Sequence, residues 1–192
     1  MINYLSILLF AYKMAIIVFM FVGGINFTLI WFLIAREFMK AFSDEEFKTY
    51  LVYIFTAVLF MMVALISTNI SPTDSLRQSL FQAISIGTST GYTTQDYTTW
   101  PVITQFVLMI LMIVGACAGS TSGGLKLMRI ILAFKVAMRE LVRIAQPRKI
   151  KQIRMNGEVV EPQQIDKIVG MLFVWIGLFL SLIHISEPTR PY

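Results

Sequence analysis

The segment SPTDSLRQSLFQAISIGTSTGYTTQD, residues 71–96, decides the fold of this chain. It opens with a serine before a proline, followed by an acid in the first turn, which is typical of a helix start. The helix that follows, predicted over 73–87, is too short and too polar to cross a membrane. Gly87 ends it, and a loop rich in hydroxyl residues follows over 88–96. The segment is therefore a short helix followed by an irregular polar loop.

Strongly apolar sequence lies on both sides of this segment. The 192 residues are 57% hydrophobic and 14% charged, with a mean hydropathy of +0.73, whereas about 25% of a soluble domain is charged. The apolar stretches run over 14–35, 50–66, 102–118 and 168–185, and each is near the ~17–25 residues that cross a bilayer. We therefore predict an all-α membrane protein. Irregular backbone at membrane depth must be buried in protein or face water, and a pore loop satisfies both conditions.

Positive charge is concentrated in the second half of the chain. Ten of the sixteen Lys and Arg residues lie between Lys126 and Lys167, and the segment 67–100 contains only Arg77. Because positive charge is retained on the cytoplasmic side, 126–167 is predicted inside and 67–100 outside. Topology and attraction to anionic lipid explain this basic segment, so we predict no nucleic-acid partner.

Cysteine and histidine are too few for most catalytic or metal sites. The single cysteine, Cys117, excludes an intramolecular disulfide and gives no metal-ligand spacing. The single histidine, His184, lies near the C-terminus. Because the chain offers no convincing nucleophile–base pair or metal-ligand set, we predict that it is not an enzyme and needs no cofactor.

The loop that follows the short helix contains residue types that suit a dehydrated cation. Potassium filters replace the hydration shell of the ion with backbone carbonyls, and glycine supplies the unusual backbone angles that this requires. The C-terminus of the short helix adds partial negative charge. The predicted filter residues are Ser89, Thr90, Gly91, Tyr92 and Thr93, with K⁺ at Thr90 and Gly91. The competing interpretation is an ordinary extracellular turn.

A second glycine-rich stretch, residues 115–124, interrupts the next apolar helix. Glycines four residues apart can form a small-residue packing face, but the stretch also propagates helix poorly and its hydroxyls can line a wet path. Spacing alone supports packing and gating equally. A phosphate loop does not fit, because Leu125 stands where its lysine is required. The residues predicted for the gate interpretation are Gly115, Gly119, Ser120, Thr121, Ser122, Gly123 and Gly124.

A polar residue also lies inside the first apolar run, in the sequence Gly23-Gly24-Ile25-Asn26-Phe27. We predict that this run, residues 14–35, is one spanning helix. A polar side chain at membrane depth normally faces protein or water, and the residue types favour an interhelical hydrogen bond for Asn26.

The three motifs, in their order along the chain, resemble the Trk/Ktr/HKT potassium transporter superfamily, and most of all its TrkH type. That family is built from four outer helix–pore helix–inner helix repeats around a potassium-channel-like pore. Its third inner helix contains a glycine-rich intramembrane loop below the filter that gates permeation. The resemblance therefore implies a gate at 115–124, where Ser122 stands in a position that relatives often give to glycine.

The resemblance also implies how the chain is divided. The predicted parts are 5–35, inner helix of the second repeat; 36–48, cytoplasmic linker; 49–145, complete third repeat, with outer helix 49–67, pore helix 73–87, filter loop 88–96 and inner helix 101–145 broken at 115–124; 146–164, cytoplasmic loop with a small hairpin; 165–183, outer helix of the fourth repeat; and 184–192, a non-native tail.

The implied function is K⁺ transport by a multi-pass protein of the cell inner (plasma) membrane, with K⁺ as the transported ion and no cofactor. The chain would be a partial subunit that supplies one of four filter loops and an intramembrane gate loop. The resemblance further implies a homodimer and a cytosolic nucleotide-binding regulatory subunit. The alternative is a non-conducting membrane anchor whose basic cytoplasmic face binds a partner or anionic lipid.

Overall fold

The computed structural model describes residues 4–146 and 152–186, and this part of the chain is helical almost throughout. The helices are α1 Tyr4–Gly23, α2 Phe27–Ile34, α3 Phe38–Ser43, α4 Glu45–Ile66, α5 Pro72–Gly87, α6 Val102–Val114, α7 Leu127–Ala145 and α8 Pro162–Ser186, with a 3-10 helix at Tyr97–Thr99. The described residues also contain two short strands, β1 Arg154–Met155 and β2 Glu158–Val159, and no further strand. The architecture confirms the all-α prediction. The chain forms two compact units, Met1–Met128 and Arg129–Tyr192, which are described separately.

Membrane-spanning length and apolarity are found in two helices of the described chain. They are α4 and the Pro162–Leu182 part of α8. The segments Phe10–Gly23 and Phe27–Ile34 reach that length only as a pair, and the chain bends by 110° between them. The shorter α6 is also apolar. These helices are those of a membrane protein.

Helix α5 lies at the centre of the first unit, where it packs against α1, α4 and α6. Its start follows the local signal in the sequence, because Ser71 accepts a hydrogen bond from the backbone of Asp74 at 3.3 Å and Pro72 occupies the first turn. Helix α4 begins in the same way, with the Asp44 carboxylate accepting from the Phe47 N–H at 2.8 Å. Such caps satisfy N–H groups that have no partner within the helix. The side chains buried between these helices include Tyr50, Met61, Leu65 and Leu111.

The first apolar run differs from the uninterrupted helix predicted over 14–35. The chain leaves the helix after Gly23 and starts α2 at Phe27, with the Asn26 side chain accepting from the Thr28 N–H at 2.9 Å. Asn26 therefore caps the N-terminus of α2, and the predicted interhelical hydrogen bond is replaced by this local one.

The second unit contains a small hairpin in the segment where one was predicted. Strands β1 and β2 pair antiparallel around Asn156 and Gly157, both of which have positive φ angles, as two-residue hairpin turns require. Lys135 of α7 donates to the Arg154 carbonyl at 2.8 Å. Residues 147–151 of the predicted cytoplasmic loop lie outside the described residues.

Helix α8, Pro162–Ser186, begins before the predicted 165–183 helix and continues past it. It extends into the segment 184–192 that the sequence predicted to be a non-native tail. Residues 187–192 of that segment lie outside the described residues.

Candidate functional site

The loop after α5 folds back onto the last turn of that helix. The N–H groups of Thr90 and Gly91 both donate to the Ser85 carbonyl, at 2.9 and 3.3 Å. The Ser85 hydroxyl donates to the Tyr92 carbonyl at 2.6 Å. Ser85 is completely buried, so one serine holds the loop through both its backbone and its side chain. Sequence reasoning missed this residue, although a hydroxyl one turn before a glycine-containing loop is a usable signal.

Three successive carbonyl groups of the loop have no donor from the described residues of this chain. They belong to Ser89, Thr90 and Gly91. Two of these residues have left-handed backbone angles, with φ of +57° at Ser89 and +78° at Gly91. A Cβ atom at Gly91 would meet nothing within 4 Å, so it is the backbone angle that requires glycine there. Buried carbonyls are normally paired, whereas these lie on exposed residues and are available to an ion.

The other oxygens of the predicted filter are partly engaged within the chain. The Ser89 hydroxyl accepts from the Gly123 N–H at 3.0 Å. The Thr90 hydroxyl lies 2.9 Å from that of Thr88, and the Tyr92 carbonyl accepts from Ser85 as described. Of the predicted residues, Ser89, Thr90, Gly91 and Thr93 therefore offer carbonyl oxygens that have no donor in the described residues, and only the Tyr92 carbonyl is directed back to α5.

The stretch over 115–124 is a folded loop between α6 and α7, not a helix. Gly115 has a φ of +73°, and a Cβ atom at this position would collide with the Gly123 carbonyl. The two ends of the loop are joined by hydrogen bonds from Leu125 N to the Ile113 carbonyl and from Leu127 N to the Ala116 carbonyl, both at 3.0 Å. The packing-face interpretation requires a continuous helix, so the structure excludes it.

This loop pairs with the break between α1 and α2. The backbone N–H and the hydroxyl of Thr121 both donate to the Gly23 carbonyl, at 3.2 and 3.1 Å. Cys117 N donates to the Gly24 carbonyl at 3.2 Å, and Phe27 N donates to the Gly119 carbonyl at 3.3 Å. Each break thus supplies hydrogen-bond partners for backbone groups that the other break leaves unpaired, which stabilises the irregular backbone of both.

An open cleft of about 320 Å³ brings the two loops and α1 together. Its lining residues are Ile16, Phe19, Met20, Gly23, Thr90, Tyr92 and Thr121. Residues from the predicted filter and from the predicted gate therefore face the same space. The described residues contain no group of three His, Cys, Asp or Glu side chains able to hold a metal ion.

The loop that begins at Thr88 ends at Asp96, which caps the 3-10 helix. Its carboxylate accepts from the Thr98 hydroxyl at 2.6 Å and from the Thr98 N–H at 3.0 Å. These hydrogen bonds lower the pKa of Asp96 below its ordinary value. A charged carboxylate therefore stands at the end of this loop.

Known proteins are similar to this chain in both sequence and fold. The profile of the TrkH family, described as cation transport protein, matches residues 6–191. The Trk system potassium uptake protein TrkH of Vibrio parahaemolyticus is 31% identical over 179 residues, which cover 89% of this chain and 36% of that protein. TrkH of Escherichia coli K12 is 30% identical over 168 residues, with 86% and 35% covered.

A solved structure gives the same result. The crystal structure of the potassium transporter TrkH from Vibrio parahaemolyticus matches with a TM-score of 0.80 and 31% identity, over 91% of this chain and 39% of that one. This chain spans little more than a third of the length of the curated relatives it matches.

Proposed function

Because this chain belongs to the TrkH family of cation transport proteins, we propose that it supplies one selectivity-filter loop and the intramembrane gate loop of a potassium uptake protein. The observation that carries the proposal is the row of unengaged carbonyls at Ser89, Thr90 and Gly91. They lie beside the cleft that the gate loop also lines. The family consists of transporters, and the ion that we propose for this one is K⁺.

The chemistry of the loop suits a dehydrated monovalent cation. Carbonyl oxygens replace the hydration shell of K⁺ without adding a full negative charge. The C-terminus of α5 faces this loop, and a helix C-terminus carries roughly half a negative elementary charge. Ser89, Thr90, Gly91, Tyr92 and Thr93 are all exposed in this chain. That exposure suits residues that surround a pore together with loops from other repeats.

The division of the chain follows from the same proposal. Residues 5–35 would be the inner helix of the second repeat, 49–145 the third repeat, and 165–183 the outer helix of the fourth. One filter loop would supply a quarter of a four-loop filter, so a pore would need three further loops. We propose that this chain conducts K⁺ as part of such a protein and not alone.

The loop over 115–124 would be the gate beneath this filter. The hydrogen bond from Gly123 N to the Ser89 hydroxyl ties the loop directly to the first filter residue. Thr121 lies on the cleft with Thr90 and Tyr92. Movement of this loop would therefore change both the width of the path and the support of the filter.

We also propose the partners that the family resemblance implies. These are a second copy of the complete protein, a cytosolic nucleotide-binding regulatory subunit, and the lipid of the cell inner membrane. Helix α7 ends in exposed charged side chains such as Arg143, which suit a solvated or lipid-headgroup surface.

The filter proposal is tested by replacing Gly91 in a full-length protein that contains this chain, produced in a strain that lacks its own K⁺ uptake systems. Gly91→Asp should abolish growth at low K⁺ and K⁺ uptake, because it strains the backbone and adds a charge among the carbonyls. The matched control is Gly157→Asp. Gly157 also has a positive φ and open space around it, but it lies in the hairpin turn.

Equal K⁺ uptake by Gly91→Asp and the unsubstituted protein would contradict the filter proposal. It would favour a non-conducting membrane anchor with a basic cytoplasmic face. Loss of uptake in both variants, with normal amounts of protein in the membrane, would also contradict it, because the effect would not be specific to the loop.

A further inference from the structure

Two charged side chains hold the loop over 115–124, and neither belongs to the predicted gate residues. Glu46 lies in the first turn of α4 and is only 4% exposed. Lys126 immediately follows the loop and is half-buried. A charged group that is taken out of water is costly unless it is paired or hydrogen-bonded, so their contacts need an explanation.

The Glu46 carboxylate joins the two sides of the loop through a single oxygen. Its Oε1 atom accepts from the Ala118 N–H at 2.6 Å and from the Met128 N–H at 3.1 Å. Ala118 is within the loop, whereas Met128 is in the first turn of α7. The first N–H groups of a helix have no partner within it and attract negative charge. Glu46 therefore caps α7 and at the same time fixes the loop that precedes it.

The Lys126 ammonium is hydrogen-bonded to oxygen atoms of the same loop. Its Nζ atom donates to the carbonyls of Ser120, at 3.1 Å, and of Ser122. The two serine hydroxyls lie 3.4 and 3.3 Å from it. Carbonyl and hydroxyl oxygens are the ligand type that a monovalent cation prefers. Here the ammonium group of Lys126 takes the place of such a cation. The loop is thus held in a closed turn from within.

The two charges act on one another as well as on the loop. Glu46 and Lys126 lie within electrostatic range, together with Asp44. Each charge is also held by its own hydrogen bonds to the loop, Glu46 by the Ala118 and Met128 N–H groups and Lys126 by the Ser120 and Ser122 carbonyls. Charge-assisted hydrogen bonds are also stronger than neutral ones. The closed form of the loop therefore depends on both residues.

We propose that Glu46 and Lys126 form a charged latch that keeps the gate loop closed, with both acting as positioning residues. Opening of the gate then requires that the hydrogen bonds from Ala118 and Met128 to Glu46 separate. This inference rests on the proposed function of the loop as a gate. The stability of the closed state would then depend on a residue in the first turn of α4 and not on the filter residues.

Cys117 provides a readout of the latch that does not depend on K⁺ flux. It is a free thiol, completely buried, next to the Ala118 N–H that Glu46 binds. In a full-length protein with any other cysteines replaced, we would measure the rate of Cys117 modification by a membrane-permeant maleimide. Cys117→Ser supplies the background.

Glu46→Ala should raise the modification rate roughly tenfold or more, the factor expected from loss of one hydrogen bond to a charged group. Glu46→Gln keeps an acceptor oxygen without the charge and should give a smaller increase. Lys126→Gln should also raise the rate. The matched controls are Glu37→Gln and Lys48→Gln, which remove the same charges from exposed side chains that do not contact the loop.

K⁺ uptake in the same variants separates the latch from a general structural role. The latch predicts a higher maximal uptake with an unchanged half-saturating K⁺ concentration, because the filter is intact. Reduced uptake in proportion to reduced protein, with an unchanged Cys117 modification rate per folded molecule, would overturn the proposal. So would modification rates in the Glu46 and Lys126 variants that equal those of the controls.

The outcomes also distinguish the latch from the filter proposal. If Gly91→Asp abolishes uptake while the latch variants behave like their controls, the latch is wrong and the proposed function stands. If Cys117 modification rises in the latch variants while Gly91→Asp leaves uptake unchanged, Glu46 and Lys126 hold the loop but the loop does not gate K⁺, and the latch is overturned as a gating device.

Discussion

Two adjacent glycines at the end of α1 should respond to alanine with opposite signs. A Cβ atom at Gly24 would collide with the Tyr50 hydroxyl and lie 2.8 Å from Cγ2 of Thr88. At Gly23, the nearest atom to a Cβ would be Oγ1 of Thr121 at 3.4 Å, an ordinary van der Waals contact. The two substitutions add the same methyl group to neighbouring positions, so they isolate the effect of the contact.

The expected magnitudes follow from the packing around each position. Tyr50 is completely buried and stacks on Phe21 with 5.3 Å between ring centroids, so it has little room to move. Overpacking a core of this kind costs about 1–3 kcal/mol. Gly→Ala without a clash stabilises a protein by about 0.4–1 kcal/mol, because the unfolded chain has fewer conformations. Gly24→Ala should therefore destabilise the protein and Gly23→Ala should not.

A second substitution tests whether the collision is the cause. The Tyr50 hydroxyl is buried and has no hydrogen-bond partner in the described residues, so Tyr50→Phe alone should be neutral or slightly stabilising. In combination with Gly24→Ala it should restore part of the lost stability. The restoration should be partial, because the Cβ contacts with Thr88 and with Cζ of Tyr50 remain.

The assay is thermal unfolding of the purified membrane protein in detergent, with K⁺ uptake measured in parallel. Gly24→Ala should also weaken apparent K⁺ affinity, since the Thr88 that it displaces lies 2.9 Å from the Thr90 hydroxyl of the filter loop. Equal stability of Gly23→Ala and Gly24→Ala would refute the reasoning. A double variant no more stable than Gly24→Ala would show that Tyr50 is not the obstructing side chain.

Three further predictions follow from single contacts. Ser85→Ala should lower the free energy of unfolding by about 1 kcal/mol through loss of its hydrogen bond to the filter loop, and should reduce K⁺ over Na⁺ selectivity in uptake assays. Ser79→Ala, an equally buried serine of α5 without a partner in the described chain, should do neither. Gly115→Ala should prevent closure of the gate loop and destabilise the protein, whereas Gly170→Ala, with open space around it, should leave thermal unfolding nearly unchanged; equal effects would contradict the assignment. Because the pKa of Asp96 is lowered, its cap is complete above the ordinary pKa of an aspartate and is lost as the pH falls through the lowered value; Asp96→Asn should remove this pH dependence of the local backbone signals in NMR spectra, and an unchanged titration in that variant would contradict it.

Local signals predicted α5 and the loop after it closely. The helix runs over Pro72–Gly87, against a prediction of 73–87, because its start depends on contacts among residues 71–74 and its end on a glycine. Gly91 has the positive φ that the filter prediction requires. The interruption after Val114 was also visible in the sequence, since four glycines and three hydroxyl residues there disfavour a helix.

Long-range contacts decided what local patterns left open. The break after Gly23 lies in an apolar run that has the length of a spanning helix, so the sequence predicted one uninterrupted helix there. Its compensating partners are Cys117, Gly119 and Thr121, almost a hundred residues away. The choice between packing face and loop over 115–124 was likewise open from glycine spacing, because the same spacing suits both.

The sequence by itself determined the helices, the irregular polar loop after α5 and the glycine that turns this loop, since capping, apolar length and backbone angle act within a few residues. Only the tertiary structure decided which oxygens of that loop stay unengaged and what holds the loop over 115–124. Ser85 reaches the Tyr92 carbonyl, and Glu46 reaches N–H groups 72 and 82 positions along the chain. A hydrogen bond between distant residues depends on the packing of several helices, and no pattern within one helix specifies it.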